Sequence, residues 1–258
     1  MRHGIFAILV LDMKRFWLDR ARLFAGLAQP LLYLFVLGAG LGASSRMGGG
    51  NYRPYIFPGV MGLSMLFTAT FAAITIVFDR QIGFFKAVLV APVPRPAIAL
   101  GKIIAGALQA LAQGVVLLFF APLAGVPLGW NIFALLGAMV MAAMTFSALG
   151  VAVASRFTSV TVFPIVSNAV LLPMFFLSGA LYPLAMAPHW IQLAAYLDPV
   201  AYAVDLMRGA LIGQFFMWPV LSLMVLAAVT LTLTWSCVRI FNRGEDTDLG
   251  PTKFTWRR

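Results

Sequence analysis

Charge is scarce in this chain. Asp, Glu, Lys and Arg make up 10% of its 258 residues, while 62% are hydrophobic and the mean hydropathy is +0.96. A soluble domain carries about 25% charged residues, so a water-soluble globular fold is excluded. Cysteine is limited to Cys237, which rules out an intramolecular disulfide and a multi-cysteine metal site. Histidine is limited to His3 and His189, and both lie outside the apolar cores.

The eight acidic residues are Asp12, Asp19, Asp79, Asp198, Asp205, Glu245, Asp246 and Asp248, and none falls in the middle of an apolar run. Ion-coupled carriers bury carboxylates or histidines there, so a secondary transporter is disfavoured. The shortage of histidine also argues against an intramembrane serine protease, although Ser64, Ser147, Ser167 and Ser178 lie in apolar runs. Those hydroxyls are expected to bond to helix backbones or neighbouring helices. There is also no phosphate-cradling G-x-x-x-x-G-K-[ST] loop, since Gly101-Lys102 is followed by Ile103, and no compact acidic cluster for magnesium. The chain alone is expected to hydrolyse no ATP, and no catalytic or metal site is predicted in it.

What the chain does have is six long apolar runs, at 23–43, 57–78, 103–125, 131–154, 160–181 and 219–241. Each is close to the ~20 residues a helix needs to cross the hydrocarbon core. Pro30, Pro122, Pro164 and Pro173 fall within them and predict kinks, which neighbouring helices or hydroxyls can accommodate. With six spans and an inside start, 15 of the 18 basic residues fall on one side and only Arg46, Arg53 and Arg208 on the other. That bias places both ends in the cytoplasm. It also explains the net charge of +10 without nucleic acid, because no basic domain forms.

Residues 1–22 are too charged to span. Their apolar stretch 5–11 is short, is followed by Asp12, Lys14 and Arg15, and has no small-residue cleavage site, so the segment is expected to be retained. Phe6, Leu9, Val10, Met13 and Trp17 follow helical spacing on one face, with Asp12, Arg15, Asp19 and Arg22 on another. This predicts a helix lying in the headgroup plane, with Trp17 as an anchor. Arg20 falls nearer the apolar side and spoils the pattern.

Two interruptions carry further information. Between the last two runs, 182–214 contains Pro183, Pro188, His189, Asp198, Pro199, Asp205 and Arg208. One straight span would bury three charges at roughly 2.5–3.5 kcal/mol each, so short helices dipping into the outer leaflet are expected instead. Asp198 is placed to cap a helix with Pro199 in its first turn, and Asp205 and Arg208 share a face at i, i+3, the spacing of an ion pair. Between the second and third runs lies Asp79-Arg80-Gln81-Ile82-Gly83-Phe84-Phe85-Lys86-Ala87-Val88-Leu89-Val90-Ala91-Pro92-Val93-Pro94-Arg95. A helix over 81–90, stopped by Pro92, puts Ile82, Phe85 and Leu89 on one stripe, available to a partner protein or to the lipid surface.

These segments resemble the permease subunits of type 2 ABC exporters, the group that includes daunorubicin-resistance-type, nodulation-type and polysaccharide or teichoic-acid exporters. Asp79-Arg80, Gly83 and Leu89-Val90-Ala91-Pro92-Val93-Pro94-Arg95, followed by Gly101-Lys102, are similar to the family's first loop. Ser178-Gly179-Ala180-Leu181-Tyr182-Pro183, Pro188-His189-Trp190, Asp198-Pro199-Val200-Ala201-Tyr202 and Arg208 are similar to its second signature. Asp198 stands where many relatives have Asn, and Gln81 or Lys86 where they have Glu.

The resemblance implies an all-α membrane protein: one transmembrane domain over 1–258, six spans, an N-terminal interfacial helix, a cytoplasmic coupling helix over about 80–92, and a re-entrant hairpin before the last span. It assigns Asp79, Arg80, Gly83, Phe84, Phe85, Lys86, Leu89, Pro92 and Arg95 to coupling with an ATPase partner. Ser178, Gly179, Tyr182, Pro183, Pro188, Trp190, Asp198, Pro199, Tyr202, Asp205 and Arg208 fall to the gate. It further implies two ABC ATPase subunits, which would hold the ATP and magnesium, and a second permease chain in a bacterial or archaeal cytoplasmic membrane. The expected cargo is an amphiphilic drug or lipid-like molecule, with a lipid-linked polysaccharide or glycolipid second and a non-transporting receptor or scaffold as the reading from another class. Phe67, Phe71, Phe175 and Phe176, with Met139 and Met141, offer a lining for a greasy substrate or pack against lipid and neighbouring helices. Gly38 and Gly42 have the spacing of a close helix contact, and 242–258 reads as a solvated tail.

Overall fold

A computed structural model describes residues 2–38, 52–81, 95–126 and 131–243. Among the described residues the regular structure is helical, without strands. In chain order the helices are α1 (Arg2–Leu18), α2 (Arg20–Leu32, continued by a π turn Tyr33–Leu37), α3 (Tyr52–Ala72), α4 (Ile74–Gln81), α5 (Arg95–Leu118), α6 (Ile132–Ala154), α7 (Val162–Leu177), α8 (His189–Leu197), α9 (Pro199–Ile212) and α10 (Pro219–Arg243). Short 3-10 turns lie at Pro122–Ala124 and Leu184–Met186.

Four segments are long and apolar enough to cross a membrane: Tyr52–Gln81, Pro96–Leu118, Ile132–Ala154 and Pro219–Phe241. The expected first and fifth spans correspond to shorter apolar helices, Gly26–Leu37 and Val162–Leu177. The 16 residues of α7 reach about 24 Å at 1.5 Å per residue, less than the ~30 Å hydrocarbon core. The third run begins earlier than its hydropathy suggested, because α5 already starts at Arg95 and includes Lys102. The second run likewise extends from Tyr52 to Gln81, with one irregular turn at Ala73.

α3 forms the centre of the bundle. It packs against α2, α5, α6 and α9, and 72% of its most apolar window is buried, against 17% for α10, which turns most of its surface outward. Small residues permit the central contacts: a Cβ on Gly150 of α6 would lie 2.6 Å from the Thr70 Cα of α3. Gly38 faces the Arg53 side chain of α3 within the same chain, whereas Gly42 lies outside the described residues.

α1 differs from the expected surface helix. It lies along α5, with Ile8 against Gly101, and buries Asp12 and Phe16 while Phe6, Val10 and Trp17 point outward. It therefore has two apolar faces, and Asp12 belongs to the inner one rather than to a polar face. The hairpin also departs from expectation. Every residue of α9 from Val200 to Ala210 is buried, among α3, α6 and α10, so Asp205 and Arg208 are enclosed by protein instead of being kept out of the interior. Irregular backbone at such depth is tolerated where protein surrounds it.

The kink expected at Pro30 has an identifiable remedy. Proline lacks an N–H and displaces the carbonyl four residues earlier, that of Gly26. That carbonyl accepts instead from Ser64 Oγ of α3 at 3.2 Å, and the following turn widens into the π turn. Ser147 Oγ bonds across helices in the same way to the Ile103 carbonyl at 2.7 Å, and Ser178 Oγ bonds to the Phe175 carbonyl, whereas buried Ser167 Oγ has no partner. Ser64→Ala should therefore lower stability by about 1 kcal/mol. In a Pro30→Ala background, where Gly26 recovers a helical donor, that loss should largely vanish. A double-mutant cycle on thermal unfolding in detergent measures the coupling.

Candidate functional site

The segment 82–94 is flanked by α4 and α5, and the side chains beside it form a buried ionic cluster. Lys102 is 8% exposed and seven residues inside α5. Its Nζ lies 3.0 Å from Asp12 Oδ2, 3.0 Å from Thr75 Oγ1 and 3.5 Å from Asp79 Oδ2. An ammonium has three donors, and here each finds an acceptor, one from α1 and two from α4. Gln109 Nε2, about two turns further along α5, donates to the Asp12 carbonyl at 3.4 Å. Half-exposed Arg15 Nη1 approaches Asp79 Oδ1 at 3.9 Å and Asp12 Oδ1 at 4.0 Å. Two carboxylates and two cations make the cluster neutral.

Arg80 points away from this cluster. Its Nη1 donates to the Ser155 carbonyl at the end of α6 at 2.6 Å, and its guanidinium sits 5.7 Å from the Phe241 ring of α10. Neighbouring residues thus fasten the end of α4 in two directions, Asp79 to α1 and α5, Arg80 to α6 and α10. Gly83, Phe84, Phe85, Lys86, Leu89 and Pro92, on which the coupling assignment rests, lie outside the described residues. Arg95 opens α5, and its side chain lies outside them too.

At the other end, the hairpin signature residues are gathered around Arg208. Gly179, at φ +70°, turns the chain after α7 so that its carbonyl and that of Ala180 accept from Arg208 Nη2 at 2.9 and 3.3 Å. The guanidinium lies 4.0 Å from the Tyr55 ring, and its buried Nε has no hydrogen-bond partner. Gly59 of α3 lies so close to the Ala180 carbonyl that no side chain fits there. Asp205 does not form the ion pair inferred from its spacing. Its two oxygens accept from the Phe216 and Met217 amides at 2.8 and 3.0 Å, closing the turn into α10. The free backbone donors of that turn are nearer partners for the carboxylate than a guanidinium already held by carbonyls.

Around this centre, Tyr52 donates to the Leu181 carbonyl, Tyr182 to that of Phe176 and Tyr202 to that of Tyr196. Pro183 and Pro188 precede the 3-10 turn and α8, and Trp190 is exposed. Asp198 caps α9 by accepting from the Val200 amide at 2.9 Å, with Pro199 as the first helical residue. Burial pushes the Asp198 carboxyl up to about 7, a rise the Val200 hydrogen bond only partly opposes. Phe67 stacks on Phe71, which meets Phe163 edge-on. Phe175 is fully buried, Phe176 is half-exposed, Met139 is buried and Met141 partly so.

Comparison with known proteins matches this arrangement to a family. The ABC-2 type transporter pattern covers residues 3–212, from the helix that supplies Asp12 to the last turn of α9. The chain belongs to the ABC-2 type transporter family. Nodulation protein J from Rhizobium leguminosarum bv. trifolii is 32% identical over 197 residues, 75% of each chain. The putative transport permease ycf38 of Porphyra purpurea is 30% identical over 206 residues, 74% of this chain and 68% of that one. The ABC-2 permease is therefore a multi-pass transport subunit of a kind that works with an ABC ATPase and is not itself catalytic.

The sequence reading of this ABC-2 permease missed Asp12, Thr75, Lys102 and Gln109 as a unit. The available signal was Asp12, which shares helical spacing with Ile5, Ile8, Leu9 and Phe16. An acid on an apolar stripe calls for a buried cation. Lys102→Met should leave two buried carboxylates with only the half-exposed Arg15 between them and cost about 3–5 kcal/mol, which Asp12→Leu in the same chain should partly recover. Membrane accumulation and thermal unfolding of the single and double variants measure this.

The raised Asp198 carboxyl predicts a pH dependence. The folded state holds its proton above the ordinary value of 3.8, so this group's contribution to stability falls as pH rises from about 4 to about 7. Asp198→Asn keeps the acceptor for Val200 and should flatten that slope, whereas Asp198→Ala should lose the cap, at about 1 kcal/mol. Unfolding followed across this pH range distinguishes the two.

Proposed function

We propose that the chain is the membrane half of an ATP-driven exporter, assembled from two copies of this permease and two ABC ATPase subunits in a bacterial or archaeal cytoplasmic membrane. Both ends of the chain and the 82–94 segment face the cytoplasm, six helices cross the membrane, and the Arg208 hairpin faces outward as a re-entrant gate. ATP and magnesium belong to the partner. The observation that carries this reading is the Asp12–Asp79–Lys102 cluster: the helices on both sides of 82–94 are tied by charge to each other and to α1. Force applied to that segment by a partner reaches three helices together, and through Arg80 two more.

Closure of the ATPases on ATP shifts the segment around Arg80 to Pro92 and rocks the permease halves, provided the partner binds two permease states with different affinity. The family relationship to a transport permease and the absence of a phosphate-binding loop support this division of labour. The cargo is amphiphilic and drug-like or lipid-like, taken from the cytoplasm or inner leaflet. A lipid-linked glycan is the second class, favoured by the tyrosines Tyr52, Tyr55, Tyr182, Tyr196 and Tyr202 collected at the hairpin end, rings with an apolar face and a polar tip.

Gly83→Asp, Phe85→Asp or Leu89→Asp should abolish stimulation of the co-purified ATPase and reduce transport about tenfold or more while the chain remains inserted. A charge in the gripped stripe would oppose docking. Vesicle transport with matched ATPase assays provides the measurement. Normal transport by these variants would overturn the coupling assignment, and stable isolation of the permease with no ATPase that responds to it would favour a scaffold.

A further inference from the structure

A single row of side chains holds α7 to its own chain. The buried residues of this helix are Phe163, Ser167, Leu171 and Phe175, each four after the last. The opposite surface faces away from the bundle, with Ile165, Asn168, Ala169, Pro173 and Phe176 exposed.

Two polar groups lie on that outward surface, where hydrocarbon offers no hydrogen bond. Asn168 is the seventh of the 16 residues of α7, near mid-depth for a spanning helix. Its carboxamide carries two donors and an acceptor, and among the described residues none of them meets a partner. The second group is the Ala169 carbonyl. Pro173, four residues later, has no N–H to return to it. In α2 the same defect, at the Gly26 carbonyl, is repaired by Ser64 Oγ, but among the described residues no side chain donates to Ala169. A free amide donor and a carbonyl short of its helical donor therefore sit on successive residues.

Three coverings can be compared. Lipid tails leave both groups unsatisfied. A water-lined route would carry further polar side chains, whereas the other exposed residues within α7 are all apolar. A second copy of the chain meets both needs at once. About a two-fold axis the same surface faces itself, so the donor at 168 and the acceptor at 169 of one copy find the acceptor and donor of the other. Both copies share one orientation in the membrane, so residues of equal number lie at equal depth. Ala169 presents only a methyl group, which lets two helices approach closely. No charged residue lies in α7, so chains that each carry a net charge of +10 meet there without opposing cations at the contact. The shortness of α7 against the hydrocarbon core is a mismatch that association with another helix relieves.

We infer that α7 forms the contact between the two permease copies, with Asn168 Nδ2 of each donating to the partner's Ala169 carbonyl. This rests on the two-copy reading above and adds the surface on which those copies meet.

Disulfide trapping of the full chain in native membranes, in a Cys237→Ser background, tests this. Ala169→Cys should link most of the chain into dimers, and Met224→Cys, on the outward face of α10, almost none. Asn168→Leu should raise the dissociation constant of the dimer about tenfold, the worth of two interhelical hydrogen bonds, as read by energy transfer between labelled chains diluted into liposomes. It removes no contact within one chain, so thermal unfolding of the monomer in detergent should be unchanged, which separates lost association from lost fold. Failure of Ala169→Cys to link, in a transporter shown by native mass spectrometry to hold two permeases, would overturn the α7 contact and leave the two-copy reading standing. A single permease per transporter would overturn both. Intact association of Asn168→Leu together with reduced transport would put the residue on the cargo route and overturn the contact as well.

Discussion

A single buried ammonium organises one end of this permease. Lys102 sits inside the protein at a depth where an unpaired charge costs several kcal/mol, so its three acceptors, two carboxylates and a hydroxyl, must stay in place. They come from two different helices, and satisfying Lys102 therefore fixes how α1, α4 and α5 meet. An N-terminal helix with two apolar faces has no unique resting place on a lipid surface, and Asp12 supplies one. Arg15 then offsets the second carboxylate from the rim.

The opposite end follows the same constraint with different chemistry. Arg208 and Asp205 are buried close together, yet each is neutralised by backbone groups, carbonyls for the guanidinium and amides for the carboxylate. Charges at the loop end hold helices to helices, whereas charges at the hairpin end hold irregular backbone that has no helical partner of its own. Gly179 and Gly59 make that possible, one by its left-handed turn and the other by yielding its side-chain volume to the Ala180 carbonyl.

Apolar length and turn chemistry were legible in the sequence. The segments now seen as α3, α6 and α10 could be read from hydropathy, and the Asp198–Pro199 start of α9 from capping rules. Partnering was not legible. Lys102 looked like a helix boundary because a lone lysine next to an apolar run usually is one, and only the carboxylates 23 and 90 residues away in sequence bring it inside. Spacing within α9 suggested Asp205 with Arg208, but the turn 213–217 and the carbonyls after α7 compete for those side chains, and nothing local records that competition. The enclosure of α9 was missed for the same reason: its surroundings are supplied by α3, α6 and α10, distant in sequence.

The order of the cluster along the chain bears on synthesis. A ribosome makes Asp12 first, then Asp79, and only afterwards Lys102, which rides on the least hydropathic of the four long apolar segments, at 1.5 against 1.9 to 2.1 for the others. By the time the segment least able to enter lipid unaided emerges, both of its counter-ions have already been made. Insertion of α5 can thus be assisted by parts of the same chain delivered earlier, so removing Asp12 would burden biogenesis before it affected any step of transport.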